Sequence, residues 1–292
     1  MASRFFKQNK AGERVGGLAA VPSGRCRIRP AGPVVLVGKP DRRRPHLRPD
    51  LARRWLAARG HGLPRQPLQP AGTAVLTVYC PPPDTGLTVI HADEAIVVID
   101  KPSGLLSVPG RGPDKADCLV ARVQLRFPDA LAVHRLDMET SGLLVLGRGE
   151  AVHSELSRQF RERLTEKRYI AVVAGLLADD AGEVDLPLIV DWPNRPLQKV
   201  DFEIGKPSLT RYRVLARDPV ADITRVELEP VTGRSHQLRV HMASLGHPIL
   251  GDELYGGEAR DRAERLLLHA TDLGLFHPST VAFIKFHAPP PF

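Results

Sequence analysis

Cysteine is scarce. Cys26, Cys80 and Cys118 are the only three in 292 residues, far apart and without a CxxC pair. That excludes a disulfide framework and a cysteine-based zinc site, and it fits a reducing compartment. No uninterrupted apolar run approaches the roughly 18–20 residues of a membrane span. The basic N-terminus lacks the apolar stretch of a secretory signal. Gly38-Lys39 is not part of a Walker pattern, and no internal repeat is visible. These absences predict a cytoplasmic protein with no membrane partner. What is present suffices for folding: 42% of the residues are hydrophobic, enough for a sizeable core, and the length allows one large domain or two small ones.

The net charge of +8 suggests a polyanionic partner, but its distribution is uneven. Residues 1–86 hold 16 Lys+Arg against 4 Asp+Glu, a net of +12, while residues 87–292 hold 25 against 29, a net of −4. A nucleic-acid site in the second segment must therefore use a local arrangement of arginines. The first segment also carries 12 Pro and 10 Gly and has poor hydrophobic periodicity, which predicts a disordered extension. Only Arg48–Arg59, as a helical turn or two, and Ala74–Tyr79, as a short strand, have a pattern. A basic arm for nonspecific nucleic-acid binding is one reading. A presequence fits less well because serine is scarce. An appended or wrongly assigned start without function is the reading favoured.

From Leu87 the texture changes to short β-branched runs. Leu87–His91 and Ala95–Lys101 read as a hairpin through Asp93-Glu94. Apolar positions 119, 120, 123 and 127 give a helical stripe over Asp117–Phe127, closed by Pro128. Ser141–Leu146 and Arg168–Ala174 read as strands, with a helix over Glu150–Arg163 between them. Further strands are expected at 183–189, 208–216, 223–229, Leu266–Leu273 and Val281–His287, and a helix at Ser235–Ser244. Strands outnumber helices and βαβ alternation is rare, so the class is α+β with a mixed or largely antiparallel sheet.

Three segments could carry chemistry. The first is His134-Arg135-Leu136-Asp137-Met138-Glu139-Thr140-Ser141-Gly142-Leu143-Leu144, a polar loop running into a strand. The second is Val231 to His241, where Gly233-Arg234-Ser235-His236 leads into a helix bearing Arg239. The third is Lys167-Arg168-Tyr169 at a strand start. Each alone also fits something ordinary: a surface turn, a solvated helix N-terminus, a half-buried edge tyrosine.

In this order, however, the three resemble the RluA family of pseudouridine synthases, with its HRLD-x-x-TSG-LL loop, K-x-Y strand and G-R-[ST]-H-Q-[IL]-R-V-H helix. Asp100-Lys101-Pro102-Ser103-Gly104-Leu105 matches the family's N/D-K-P-x-G-L turn. Leu105–Gly110, Gln159–Arg163, Asp185–Val200 and His247–Asp252 look like its compact, dual-substrate members. The resemblance covers residues 87–292, the expected catalytic domain. Larger relatives carry an S4 RNA-binding domain in the N-terminal place, and its pattern is absent from residues 1–86.

The resemblance implies an α+β catalytic fold with a central mixed, mostly antiparallel sheet and a cleft across it. It implies isomerisation of uridine within RNA: the N1–C1′ bond breaks, the uracil turns, and a C5–C1′ bond forms, without cofactor or metal. Asp137 matches the catalytic aspartate. It could attack C1′, add to C6 or take a proton from C2′. Arg239 matches the arginine that pairs with it and keeps it ionised. Tyr169 matches the tyrosine that stacks on the base and can move the C5 proton. Arg135 corresponds to the residue that fills the space left by the flipped nucleotide. Arg234, Ser235, His236 and, more weakly, Arg195 are expected RNA contacts. His134 and Thr140 are expected to support the loop.

The implied partners are a tRNA anticodon stem–loop and a 23S rRNA loop, met by a monomer. An rRNA-only synthase and a non-catalytic RNA-binding module are the alternatives. A metal hydrolase on His134, Asp137, His236 and His241 has poor spacing, since residues five apart face different sides of a helix.

Overall fold

A computed structural model describes residues 79–292. The elements expected at 48–59 and, except for Tyr79, at 74–79 lie outside the described residues. Residues 79–86, assigned by composition to the extension, contact the unit that follows. The Tyr79 hydroxyl donates to Asp117 O and accepts from Leu106 N, and Arg122 donates to Pro82 O.

The strands are β1 (Thr88–Ala92), β2 (Ile96–Lys101), β3 (Ala130–Ala132), β4 (Ser141–Arg148), β5 (Glu166–Ala174), β6 (Ala181–Asp185), β7 (Leu188–Val190), β8 (Gln198–Val200), β9 (Leu209–Asp218), β10 (Ile223–Pro230), β11 (Leu268–Phe276) and β12 (Phe283–His287). The α-helices are α1 (Leu119–Gln124), α2 (Glu150–Glu162) and α3 (Gln237–Ser244). One sheet runs β1-β2-β4-β11-β5-β10-β9-β6, with β3 added to β4 and β12 to β11, while β7 and β8 form a separate hairpin. Only the β4–β11 pairing is parallel, so the sheet is mixed and mostly antiparallel, as expected.

The sequence texture follows from how each half of this sheet is covered. β2 and β4 are apolar on both faces. Val97, Ile99, Leu144 and Leu146 meet α1 through Leu119 and Val123, while Ile96, Val98, Leu143 and Val145 meet α2 through Leu156. Two-sided burial explains their unbroken runs of branched residues. β10 instead alternates, with every second residue buried. Its inner residues Val226 and Leu228 pack with Ala171 and Val173 against Leu238 and Met242 of α3. Its outer Glu227 takes ion pairs from Arg168 and Arg213. Each fully buried leucine in these layers contributes about 1.5–3 kcal/mol. Tyr169 touches both the α1-side and the α3-side clusters, so it stands at the gap between the two layers.

Several boundaries move. The helix expected from Ser235 begins at Gln237, because His236 has left-handed backbone, φ 54°. The strand expected at 183–189 is two strands, β6 and β7, separated by Leu186 and Pro187. The helix expected over Asp117–Phe127 contracts to α1, started by the Cys118 sulfur accepting from Ala121 N. β3 and β8, each of three residues, are too short to show periodicity.

Candidate active site

The loop carrying Asp137 is fixed from below by buried polar groups. Ser107 Oγ donates to Leu136 O and accepts from Leu136 N, at 2.7 and 3.1 Å. Gly104 N donates to Met138 O, and Ser103 Oγ donates to Glu139 O. Lys101 is fully buried, and its Nζ donates to the carbonyls of Pro102, Leu105 and Met138 at 2.8, 2.7 and 2.9 Å. Burial pushes this ammonium down to about 7, against the pull of Glu139 and Asp137. His134 accepts from Val145 N and stacks on Phe160 with ring centroids 4.4 Å apart. Burial lowers its pKa to about 3, so it stays neutral with a free lone pair for that amide. Thr140 is buried, and its amide donates to Asp137 O. Gly142 follows with φ 110°, opposite Ala270 across the parallel β4–β11 pairing. A Cβ there would run into the Ala270 backbone, which accounts for the glycine.

The second wall is the turn into α3. Gln237 staples it: Oε1 accepts from Thr232 Oγ1 and Arg234 N, and Nε2 donates to Leu209 O and Thr210 Oγ1. Two residues further, Arg239 is buried and donates to Asp252 twice, Nε to Oδ2 at 2.8 Å and Nη2 to Oδ1 at 2.6 Å. Its remaining nitrogen, Nη1, lies 3.7 Å from Asp137 Oδ2. The expected pairing of Arg239 with Asp137 is therefore present but looser than a second pairing that sequence reasoning missed. Burial pushes the Asp252 carboxyl up, but hydrogen bonds and charge from Arg239, with the amides of Leu254 and Tyr255, outweigh it and hold it below the usual carboxylate range. His236 faces the other Asp137 oxygen, Nε2 to Oδ1 3.9 Å.

Tyr169 forms the third wall from β5. Among the described residues its hydroxyl has no hydrogen-bond partner. Burial, and then the charge of Asp137, push its pKa up, so it is a neutral phenol. These walls enclose a cavity of about 300 Å³ that is also lined by Lys167, Arg135 and Arg234. That volume is at the small end for ligand pockets and suits one extruded base better than a duplex. A carboxylate with a cation on one oxygen, beside a neutral phenol, can act as a nucleophile or base while the phenol serves in proton transfer.

The structure brings together Asp137, Tyr169, Arg239, Arg135, Arg234, Ser235, His236, His134 and Thr140 around this cavity. It leaves Arg195 outside. That residue is on the exposed loop before β8, with its guanidinium 3.2 Å over the Trp192 ring. His241 also turns away, its ring bonded to Thr210 Oγ1 and Leu186 O. Asp252 and Lys101 were legible only as members of matching stretches, without a role. A second cavity of about 350 Å³ lies beyond Glu139, where Glu253 and Glu264 are interspersed with Arg260 and Arg265. It has no nucleophile beside a base.

The sequence pattern described as RNA pseudouridylate synthase matches residues 95–244, the stretch that holds Asp137, Tyr169 and Arg239. The "Dual-specificity RNA pseudouridine synthase RluA" of Pasteurella multocida is 53% identical over 218 residues, 74% of this chain and 99% of that protein. The protein of the same name from Yersinia pestis is 56% identical over 193 residues, 66% of this chain and 93% of its own length. Among solved structures, "Human RNA Pseudouridylate Synthase Domain Containing 1" superposes with a TM-score of 0.61 at 30% identity, covering 73% of this chain and 87% of that one. By this match and these identities the chain belongs to the RNA pseudouridylate synthase family.

Proposed function

We propose that this enzyme converts particular uridines to pseudouridine in two classes of structured RNA, a tRNA anticodon stem–loop and a 23S rRNA loop, acting as a cytoplasmic monomer. The observation that carries the reading is the Asp137 carboxylate, partly exposed at the floor of a one-base cavity, 3.7 Å from the buried Arg239. The dual substrate class rests on the identity, above one half, to relatives whose names state dual specificity.

In this reading Asp137 is the catalytic residue, whether its first step is at C1′, C6 or the C2′ proton. The departing base is also the incoming carbon nucleophile, so atoms balance without a co-reactant. Tyr169 stacks on the uracil, a contact of about 1–3 kcal/mol, and its neutral hydroxyl is a candidate for relaying the C5 proton. Arg135 stands exposed at the rim, where it can occupy the gap left in the RNA stack. Arg234, Ser235 and Lys167 offer donors to the backbone and base. Such loops are recognised by shape as much as by sequence, which allows one cavity to serve two RNAs.

The test is a pseudouridine map of total tRNA and rRNA from a strain lacking the gene, before and after incubation with the purified protein. Restoration of one site in each RNA class supports the proposal. Restoration in rRNA alone replaces it with the single-substrate reading, and RNA binding without any restored site replaces it with a binding module.

A further inference from the structure

Tyr255 does not line the Asp137 cavity, yet it touches both His236 and Arg239, the two residues that face Asp137. It is 7% exposed, in the small cluster with Leu188, Val240 and Ala243, and its ring lies under the Arg239 guanidinium at 5.3 Å. Its hydroxyl makes two short contacts. Gln198 N, the first amide of β8, donates to it at 2.8 Å, and His236 Nδ1 lies 2.7 Å away.

These two contacts decide where the protons are. A backbone amide cannot accept, so the phenolic proton cannot go to Gln198. Were Nδ1 also a donor, two N–H groups would converge on the hydroxyl and its own proton would have no partner among the described residues. The arrangement closes only if Tyr255 donates to Nδ1. A neutral His236 then carries its proton on Nε2, the nitrogen that faces Asp137 Oδ1 at 3.9 Å. Burial lowers the His236 pKa and favours the neutral ring. Asp137 and Asp252 oppose this, and Arg239 and Arg135 reinforce it.

We propose that Tyr255 is a positioning residue: by donating to His236 Nδ1 it fixes the imidazole with its N–H directed at Asp137 Oδ1. Each Asp137 oxygen then has its own donor direction, Arg239 Nη1 for Oδ2 and His236 Nε2 for Oδ1, and the plane of the carboxylate is set. In the other tautomer a lone pair would face the carboxylate and repel it. The left-handed backbone of His236 belongs to the same device, since it turns the ring out of the helix and between Tyr255 and Asp137. The inference deepens the proposed function and rests on Asp137 being the reacting carboxylate.

Two measurements test it in the full chain. The first is the ring-nitrogen NMR spectrum of His236, assigned with His236→Gln. An unprotonated Nδ1 and a protonated Nε2 at neutral pH are expected, and an Nδ1 proton or an imidazolium overturns the proposal. This readout needs neither a Tyr255 variant nor turnover. The second is Tyr255→Phe, which keeps the packing ring. A misplaced reacting group is costly, so kcat on a stem–loop RNA should fall about tenfold or more, with KM within about twofold. The tautomer signal should become mixed. Unchanged kcat despite a mixed tautomer overturns the positioning role. Absence of pseudouridine with the unmodified protein would instead reject the proposed activity and leave the tautomer result standing.

Discussion

Arg239 is shared unequally between two carboxylates: Asp252 holds it with two bonds of 2.8 and 2.6 Å, and Asp137 stands off at 3.7 Å. The tight pair neutralises the buried guanidinium and aims it. The loose contact leaves the Asp137 carboxyl without a direct hydrogen bond from Arg239. A direct bidentate Arg239–Asp137 pair would instead tie up both oxygens of the carboxyl proposed to react.

Asp252→Asn should therefore impair the site without touching it. Breaking a buried pair costs about 3–5 kcal/mol, to be read from urea denaturation. Turnover should fall as Arg239 relaxes toward Asp137, by roughly 10–100-fold. The stability effect has a pH window. The Asp252 carboxyl is held below its ordinary value, so its contribution is full above the unfolded carboxylate pKa of about 3.9 and is lost as pH falls through the lower folded value. The gap between the parent and Asp252→Asn should close in that acid range. Equal stability of the two at neutral pH would remove Asp252 from the account.

Tyr169→Phe isolates a hydroxyl that has no hydrogen-bond partner among the described residues. Stability should change by less than about 0.5 kcal/mol, because no hydrogen bond among the described residues is lost. RNA affinity should persist through the remaining ring, while turnover falls and tritium release from C5-labelled uridine slows. Full turnover in this variant would leave Tyr169 with stacking alone.

Much of this site was legible beforehand, for definite reasons. Asp137, Tyr169 and Arg239 lie in three contiguous patterns, and the order of those patterns, not the periodicity of the elements that present them, made them legible. Asp252 and Tyr255 lie outside those patterns, in a segment with no regular element, and they reach Arg239 and His236 only through tertiary contact. Their roles need the fold. Arg195 fails in the opposite direction. Residue type and a matching stretch made it a candidate, but its local stacking on Trp192 puts it outside the cavity. The helix start moved because His236 has left-handed backbone, which the spacing of polar residues before a helix does not specify.

The difference between rim and periphery gives a paired prediction. Arg135 lines the cavity and Arg195 does not. Arg135→Ala should lower kcat as well as raise KM on structured RNA, since base extrusion depends on filling the stack. Its defect should shrink on a substrate whose target uridine is already unpaired. Arg195→Ala should raise KM a few-fold at most and leave kcat unchanged. Steady-state kinetics on matched stem–loop and single-stranded substrates separate the two, and identical profiles would refute the assignment of extrusion to Arg135.

Lys101 is the remaining charged group under the loop, and protonation should move its two effects in opposite directions. Its folded pKa, near 7, is below the ordinary lysine value of 10.5. The folded protein therefore binds fewer protons between these values than the unfolded chain. The lysine's contribution is most favourable above pH 10.5 and is lost as pH falls toward 7, by up to about 1.4 kcal/mol per unit. Stability relative to Lys101→Met should rise with pH across that window. Turnover should do the reverse. The ammonium has three N–H groups for the three carbonyls of Pro102, Leu105 and Met138, whereas the amine above pH 7 has two. One carbonyl loses its donor and the loop beside Asp137 loosens. Denaturation midpoints and kcat measured from pH 6 to 10 on both proteins check this. A parent kcat that stays flat through pH 7, or shows the same decline in Lys101→Met, would detach the loop's geometry from the charge of Lys101.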